Sequence, residues 1–300
     1  MAIAQYASKF TQPNPNPGVN TVLEYLLIKF PRIERAIWEA RLAEGKVHWH
    51  DGSLIRANTR YREQARVYYY REVVNEPKIP FQETIVYQDE NILVVHKPHF
   101  LALIPGGVFV AECLQNRLRT RLDNNEIQAL HRLDRVTAGL VIFSLNSNNR
   151  HAYHRLFAER KIKKVYHAVA QVDASTNLAG QTWEIKNRLE ASNPRYVMRV
   201  CTGNSNSHST VTCLQQSGDR ALFELEPITG RTHQLRVHMQ SIGTPILNDK
   251  YYPILEEHSA DDFTKPLQLL AKSLQFVDPV SDDKHFFESP CSLKEDQWRC

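Results

Sequence analysis

Three short stretches hold residues that can do chemistry. In His131-Arg132-Leu133-Asp134-Arg135-Val136-Thr137-Ala138-Gly139 a carboxylate sits between two arginines, and the chain runs straight into a strand-like segment, Leu140–Leu145. Neighbouring guanidiniums favour the ionised form of a carboxyl group. An ionised carboxylate on a turn at the mouth of a sheet can act as a nucleophile or a base; a surface ion pair that tightens a loop also fits the charges alone. In Thr229-Gly230-Arg231-Thr232-His233-Gln234-Leu235-Arg236-Val237-His238-Met239 a turn leads into a helix. Leu235, Met239 and Ile242 share one face of it, with Arg236 on an adjoining face. Two arginines and two histidines near a helix start suit an anion, or simply a basic exposed helix. In Lys164-Val165-Tyr166-His167-Ala168, strand alternation turns Lys164, Tyr166 and Ala168 to one side. A tyrosine so placed packs in a core or rim more often than it reacts.

The elements around these stretches read as α+β. Short β-branched or aromatic runs at 84–87, 92–95, 140–143, 165–169, 209–212 and 222–225 are strands, with helical stretches near 113–121, 149–159 and 232–242. Helices do not alternate regularly with strands, so a mixed, mainly antiparallel sheet is expected and a doubly wound parallel fold is not. Ahead of it, residues 1–18 are rich in Pro and Asn and read as an extended arm. Residues 19–76 form a small α-α-β unit: a helix from Thr21 to Phe30, a second burying Ile33, Ile37 and Ala40, a strand at 46–50, an Asp51-Gly52 turn and a strand at 67–71. A Pro-punctuated linker follows, then the larger domain over 80–292 and a tail at 293–300. The second helix carries Arg32, Arg35 and Arg41, with Lys46 after it. That is either a solvated basic face or a surface that tracks RNA phosphates.

The whole chain has 300 residues, 42% hydrophobic and 23% charged, with a formal charge of +4. That permits a nucleic-acid partner without requiring one. Five scattered cysteines without a CxxC pair make zinc ribbons and disulfide frameworks poor readings. A reducing cytoplasm is expected, with neither signal peptide nor membrane span. Thirteen histidines invite a metal, but His151-Ala152-Tyr153-His154 lacks the glutamate of a zinc-protease motif and reads as a solvent-facing helix turn.

Taken together, the three stretches resemble the motifs of the RluA-type RNA pseudouridine synthases: His-Arg-Leu-Asp-x-x-Thr-Ser-Gly at 131–139, Lys-x-Tyr-x-Ala at 164–168 and Thr-Gly-Arg-Thr-His-Gln-Leu-Arg-Val-His at 229–238. Flanking pieces agree, among them Val94-Val95-His96-Lys97-Pro98, Gly243-Thr244-Pro245-Ile246 with Asp249 and Tyr251, and Leu269-Leu270-Ala271-Lys272-Ser273-Leu274. The resemblance covers about residues 80 to 290; the N-terminal unit is more loosely similar to an S4-like RNA-binding domain. It implies an isomerase that flips a uridine out of ribosomal or transfer RNA and needs no cofactor or metal. Asp134 is then the catalytic carboxylate, whether it attacks C1′ or C6 or removes a ribose proton. Arg236 pairs with it, and Tyr166 stacks on the uracil and helps remove the C5 proton. Leu235 packs against the base, Arg132 fills the space the nucleotide leaves, and Lys164 and Arg231 supply charge around the substrate. A monomer is expected.

Three departures stand out. Ala138 replaces Ser, Phe100 stands where Gly commonly follows Lys-Pro, and Leu270 replaces His. They put in question the path of the loop to Pro105 and the packing of the last strand. A non-catalytic RNA-binding protein and a metal-dependent nuclease are the rival readings. The intact Asp134, Tyr166 and Arg236 speak against the first, and the lack of clustered carboxylates against the second.

Overall fold

The computed structural model describes residues 2–3, 6–73, 75–257 and 259–293; apart from Leu293, the expected tail lies outside them. Within the described residues the chain divides into two compact units, Met1–Pro77 with Pro105–Ala111 and Lys78–Ile104 with Glu112–Cys300. No described helix is long and apolar enough to cross a membrane.

In the first unit β1 (Ala2–Ile3) pairs β5 (Glu72–Val73), and β2 (Ser8–Thr11), β4 (Arg66–Tyr69) and β3 (Val47–Trp49) form a sheet in the order β2-β4-β3. Residues 8–11, read as part of an extended arm, are thus a paired strand. Helix α1 (Val22–Lys29) starts at a capping box, with Thr21 Oγ1 accepting the Glu24 N–H and the Glu24 carboxylate reaching back. Helix α2 (Arg35–Ala43) differs from expectation in its buried face: Ile37 is 43% exposed, and Trp38, Arg41 and Leu42 are buried instead. The larger indole wins the interior, packing with Leu26, Val47, Ile55 and Val67.

The second unit is built on an eleven-stranded sheet. Its strands are β6 (Thr84–Gln88), β7 (Ile92–Lys97), β8 (Gln128–Ala129), β9 (Ala138–Ser144), β10 (Lys163–Gln171), β11 (Thr182–Ala191), β12 (Met198–Cys201), β13 (Ser207–Ser217), β14 (Arg220–Pro227), β15 (Leu269–Val277) and β16 (Lys284–Glu288). The main path runs β12-β11-β13-β14-β10-β15-β9-β7-β6. The β9–β15 pair is parallel and the other pairs are antiparallel. This is the expected α+β class. Helices α3 (Leu114–Leu122), α4 (Arg150–Ala158) and α5 (Gln234–Ser241) complete it. Leu235 and Met239 of α5 pack with Ala168, Phe223 and Leu225. Tyr153 and Leu156 of α4 pack with Ile92, Leu140 and Ile142.

Register across the middle of the sheet brings the three sequence stretches together. Lys97 pairs Gly139, Gly139 pairs Ala271, Ala271 pairs Tyr166, and Tyr166 pairs Leu225. The loop carrying Asp134 therefore enters the sheet two strands from Tyr166. Gly139 makes the approach possible: its φ is +114°, and a Cβ there would lie 2.3 Å from the Ala271 carbonyl oxygen.

The departures are accommodated without a break in this plan. Ala138 and Leu270 are register partners, both fully buried and both apolar, so neither departure brings an unpaired polar group into the sheet. Phe100 adopts φ +65°, the conformation glycine favours. Its ring, 5.2 Å from that of Phe263 and 6.3 Å from that of Phe81, helps hold it there.

Gly139→Ala should destabilise the fold by roughly 2–4 kcal/mol, because backbone atoms cannot yield to the new methyl. Urea unfolding would show it as a lower midpoint at unchanged slope. Ala138→Ser alone should cost about 1–3 kcal/mol through a buried unpaired hydroxyl. Combined with Leu270→His it should cost less than the sum of the singles; strict additivity would mean that the two departures are independent.

Candidate active site

Asp134 lies on the loop between β8 and β9, and that loop is pinned from beneath by buried groups. Lys97 Nζ, fully buried, donates to the carbonyls of Pro98, Leu101 and Arg135 at 2.8–2.9 Å. Burial pushes this ammonium well below its usual value, the Arg135 charge adds to that, and Asp134 opposes it. His99 Nδ1 donates to the Val136 carbonyl at 2.8 Å. His131 Nε2 accepts the Ile142 N–H at 3.1 Å, which leaves Nδ1 protonated toward the Arg132 carbonyl at 3.3 Å. The His131 ring stacks on Phe157 at 4.8 Å.

Three groups face the Asp134 carboxylate from 3.7–3.8 Å: Arg236 Nη1, Arg132 Nη2 and His233 Nε2. The expected Arg236–Asp134 pair exists, but it is not the arginine's tightest. Arg236, 3% exposed, donates through Nε and Nη2 to both Asp249 oxygens at 2.7 and 2.6 Å, so Nη1 is the nitrogen left for Asp134. Tyr251 and Tyr252 lie against the guanidinium, ring centroids 4.8 and 5.3 Å away, and their backbone N–H groups donate to Asp249 Oδ1. Arg135 is a correction: it turns from Asp134 and forms a bidentate pair with Asp261 at 2.6 and 2.8 Å.

A cavity of about 510 Å³ opens over Asp134. Its lining includes all seven residues read from the three stretches: Asp134, Tyr166, Arg236, Arg132, Leu235, Lys164 and Arg231. Burial, reinforced by the Asp134 charge, raises the Tyr166 phenol far above its ordinary value, so its hydroxyl stays protonated. Burial lowers the Lys164 ammonium. Arg132 is exposed and donates to Thr232 Oγ1 at 2.9 Å; Arg231, also exposed, donates to the Asn206 carbonyl. With Arg160 the lining holds five cationic side chains and one carboxylate, a charge balance suited to a phosphate-bearing ligand.

The basic residues of the first unit fare differently. Arg32 and Arg35 are exposed, Arg35 pairing Glu39 at 3.4 Å. Arg41 is buried against Trp38 and pairs Glu72, and Lys46 pairs Glu72 and Glu44. Two of the four charges read as phosphate contacts are therefore spent inside the unit. Conversely, sequence reasoning gave no role to Lys97, His99, His233 or Asp249. The Lys-Pro and Asp-x-Tyr segments that contain Lys97 and Asp249 were the available signal. Among the described residues no three His, Cys, Asp or Glu side chains converge on a metal position.

His99, His131 and His233 are held neutral by burial, at about 4, 3 and 4 against an ordinary 6.5. Their folded values are depressed, so their contribution is present above about pH 6.5 and is lost as pH falls toward 4. Urea unfolding should show a loss on the order of a few kcal/mol between pH 7 and 5. Equal stability at the two values would contradict this protonation pattern.

Residues 91–241 match the family described as RNA pseudouridylate synthase. The dual-specificity RNA pseudouridine synthase RluA of Salmonella typhimurium is 34% identical over 227 residues, covering 74% of this chain and 99% of that protein. The Escherichia coli protein of the same name is 32% identical over 226 residues, with the same coverage. Among solved structures, human RNA pseudouridylate synthase domain containing 1 superposes with a TM-score of 0.58 at 24% identity, covering 72% of this chain and 86% of that one; it shares the fold. A family match across half the chain and relatives aligned over nearly their full length lead to one conclusion: the chain belongs to the RluA-type RNA pseudouridine synthases.

Proposed function

We propose that this chain, acting in the cytoplasm, isomerises uridines of ribosomal or transfer RNA, with Asp134 as the catalytic carboxylate. One observation carries the assignment of Asp134: among the described residues it is the one carboxylate lining the cavity, and it faces the Nη1 nitrogen of a buried arginine whose Nε and Nη2 are paired with Asp249. The reaction breaks N1–C1′, turns the base and joins C5 to C1′. One proton leaves C5 and one arrives at N1, with no net redox change or hydrolysis. Whether C1′, C6 or a ribose proton is engaged first, the step moves charge off the carboxylate, and Arg236 is fixed to respond without reorganising.

Tyr166 and Leu235 line the same cavity and supply apolar surface to hold a flipped uracil. Because the phenol is neutral, Tyr166 acts first as a stacking surface. It takes up the C5 proton only in step with recovery of the uracil C5–C6 double bond, its own phenolic proton passing to solvent in the cavity while another proton from solvent arrives at N1. Arg132, 61% exposed at the cavity mouth, has the reach to occupy the gap in the RNA stack. Lys164 and Arg231, both lining the cavity, meet the negative backbone. In the first unit only Arg32 and Arg35 of the earlier set stay available to RNA, and its S4-like character stands as part of this proposal.

Asp134→Asn removes the charge at nearly constant shape. Turnover should fall at least about a hundredfold, roughly 2.7 kcal/mol, while RNA affinity stays within a few-fold. A pseudouridine assay on total ribosomal and transfer RNA measures the first and filter binding the second. Activity above about a hundredth of the parent rate would remove Asp134 from the chemistry.

A further inference from the structure

The first unit carries a surface that a helix-based reading of RNA binding passes over. Phe10, Val67 and Trp49 form one row across its sheet and join the core with Leu26 and Trp38. Alternation then turns the next row, Lys9, Tyr68 and His48, to the opposite face. These three are register partners, Lys9 with Tyr68 and Tyr68 with His48. The rings of His48 and Tyr68 stack 5.4 Å apart and 15° from parallel. The His50 ring lies 5.8 Å from that of Tyr68, and the Tyr70 ring 6.0 Å from that of His48. Thr11 and Arg66, also partners and both exposed, extend the face. None of the three strands contains a carboxylate, while Lys9 and Arg66 bring positive charge to the outer side.

A cluster of rings with cations beside it and no acid among its strands complements a single-stranded nucleic acid. Bases stack on rings whatever their sequence, and phosphates follow the cations. We propose that this face binds unpaired nucleotides of the substrate RNA, with bases on the His50–Tyr68–His48–Tyr70 cluster and the backbone along Lys9 and Arg66. The inference rests on the chain's being an RNA-modifying enzyme, and it shifts the RNA contact of this unit from α2 to the sheet.

The test uses the full chain, a labelled single-stranded oligouridylate and an RNA duplex of the same length. Tyr68→Ala with His48→Ala should weaken single-strand binding roughly tenfold or more and leave duplex binding within about twofold. Tyr68→Phe with His48→Phe keeps the rings and should retain single-strand affinity. Lys9→Ala with Arg66→Ala should make the slope of log affinity against log salt shallower by about 1.4. Unchanged single-strand binding in the alanine pair, an equal fall on both probes, or a fall in the phenylalanine pair would overturn the proposal. The readout is binding and not turnover, so its failure is separable from failure of the Asp134 assignment.

Discussion

A guanidinium taken out of water costs several kcal/mol unless its donors are met, and the second unit is arranged around meeting those of Arg236. The arginine projects from the first turn of α5, and Asp249 closes on two of its nitrogens in a bidentate pair. Asp249 is itself fixed by the N–H groups of Tyr251 and Tyr252, whose rings lie against the same guanidinium. What this leaves over is one donor directed at the cavity, opposite Asp134. The same charge that would be a liability in an unliganded interior thus becomes a fixed positive site beside the carboxylate to which the proposed reaction is assigned. Asp249 does the structural pairing and Asp134 is left 19% exposed to the cavity.

The carboxylate must be placed as firmly as the arginine, and a loop does not do that unaided. Here buried Lys97 and His99 and half-buried His131 each donate to a carbonyl of the loop, those of Arg135, Val136 and Arg132. They act as scaffold, and burial holds both imidazoles in the uncharged form that this role needs. The sheet completes the arrangement: a side-chain-free Gly139 lets β9 approach β15, and the shared register then sets Tyr166 two strands from the loop. Position in the site is thus set by strand register more than by sequence neighbourhood.

That distinction decides what could be read from the sequence. The seven cavity residues were legible because each motif is local and carries its own spacing; the cavity brings together what the motifs kept apart. Partners were not legible. Arg135 stands beside Asp134 in sequence yet pairs Asp261, and Arg41 and Lys46 on a basic stretch are claimed by Glu72, which is distant in sequence. Strands β11 and β16 escaped notice because most of their positions are exposed or half-buried, so they show little of an apolar run. The Pro- and Asn-rich start hid β2, whose four residues gain their meaning from β4. The departures at Ala138 and Leu270 looked unrelated until parallel register put them side by side.

If Asp134 is the catalytic carboxylate proposed above, Asp249 acts on catalysis through Arg236 and Arg236 through Asp134, as one unit. The most direct test is a double-mutant cycle on the single-turnover rate of pseudouridine formation, with Asp134→Asn and Asp249→Asn made singly and together. Asp249→Asn alone should slow the reaction strongly. Placed on top of Asp134→Asn it should cost almost nothing further, because the arginine no longer has a reacting carboxylate to serve. Losses that multiply independently, or an Asp249→Asn enzyme at the parent rate, would contradict the claim.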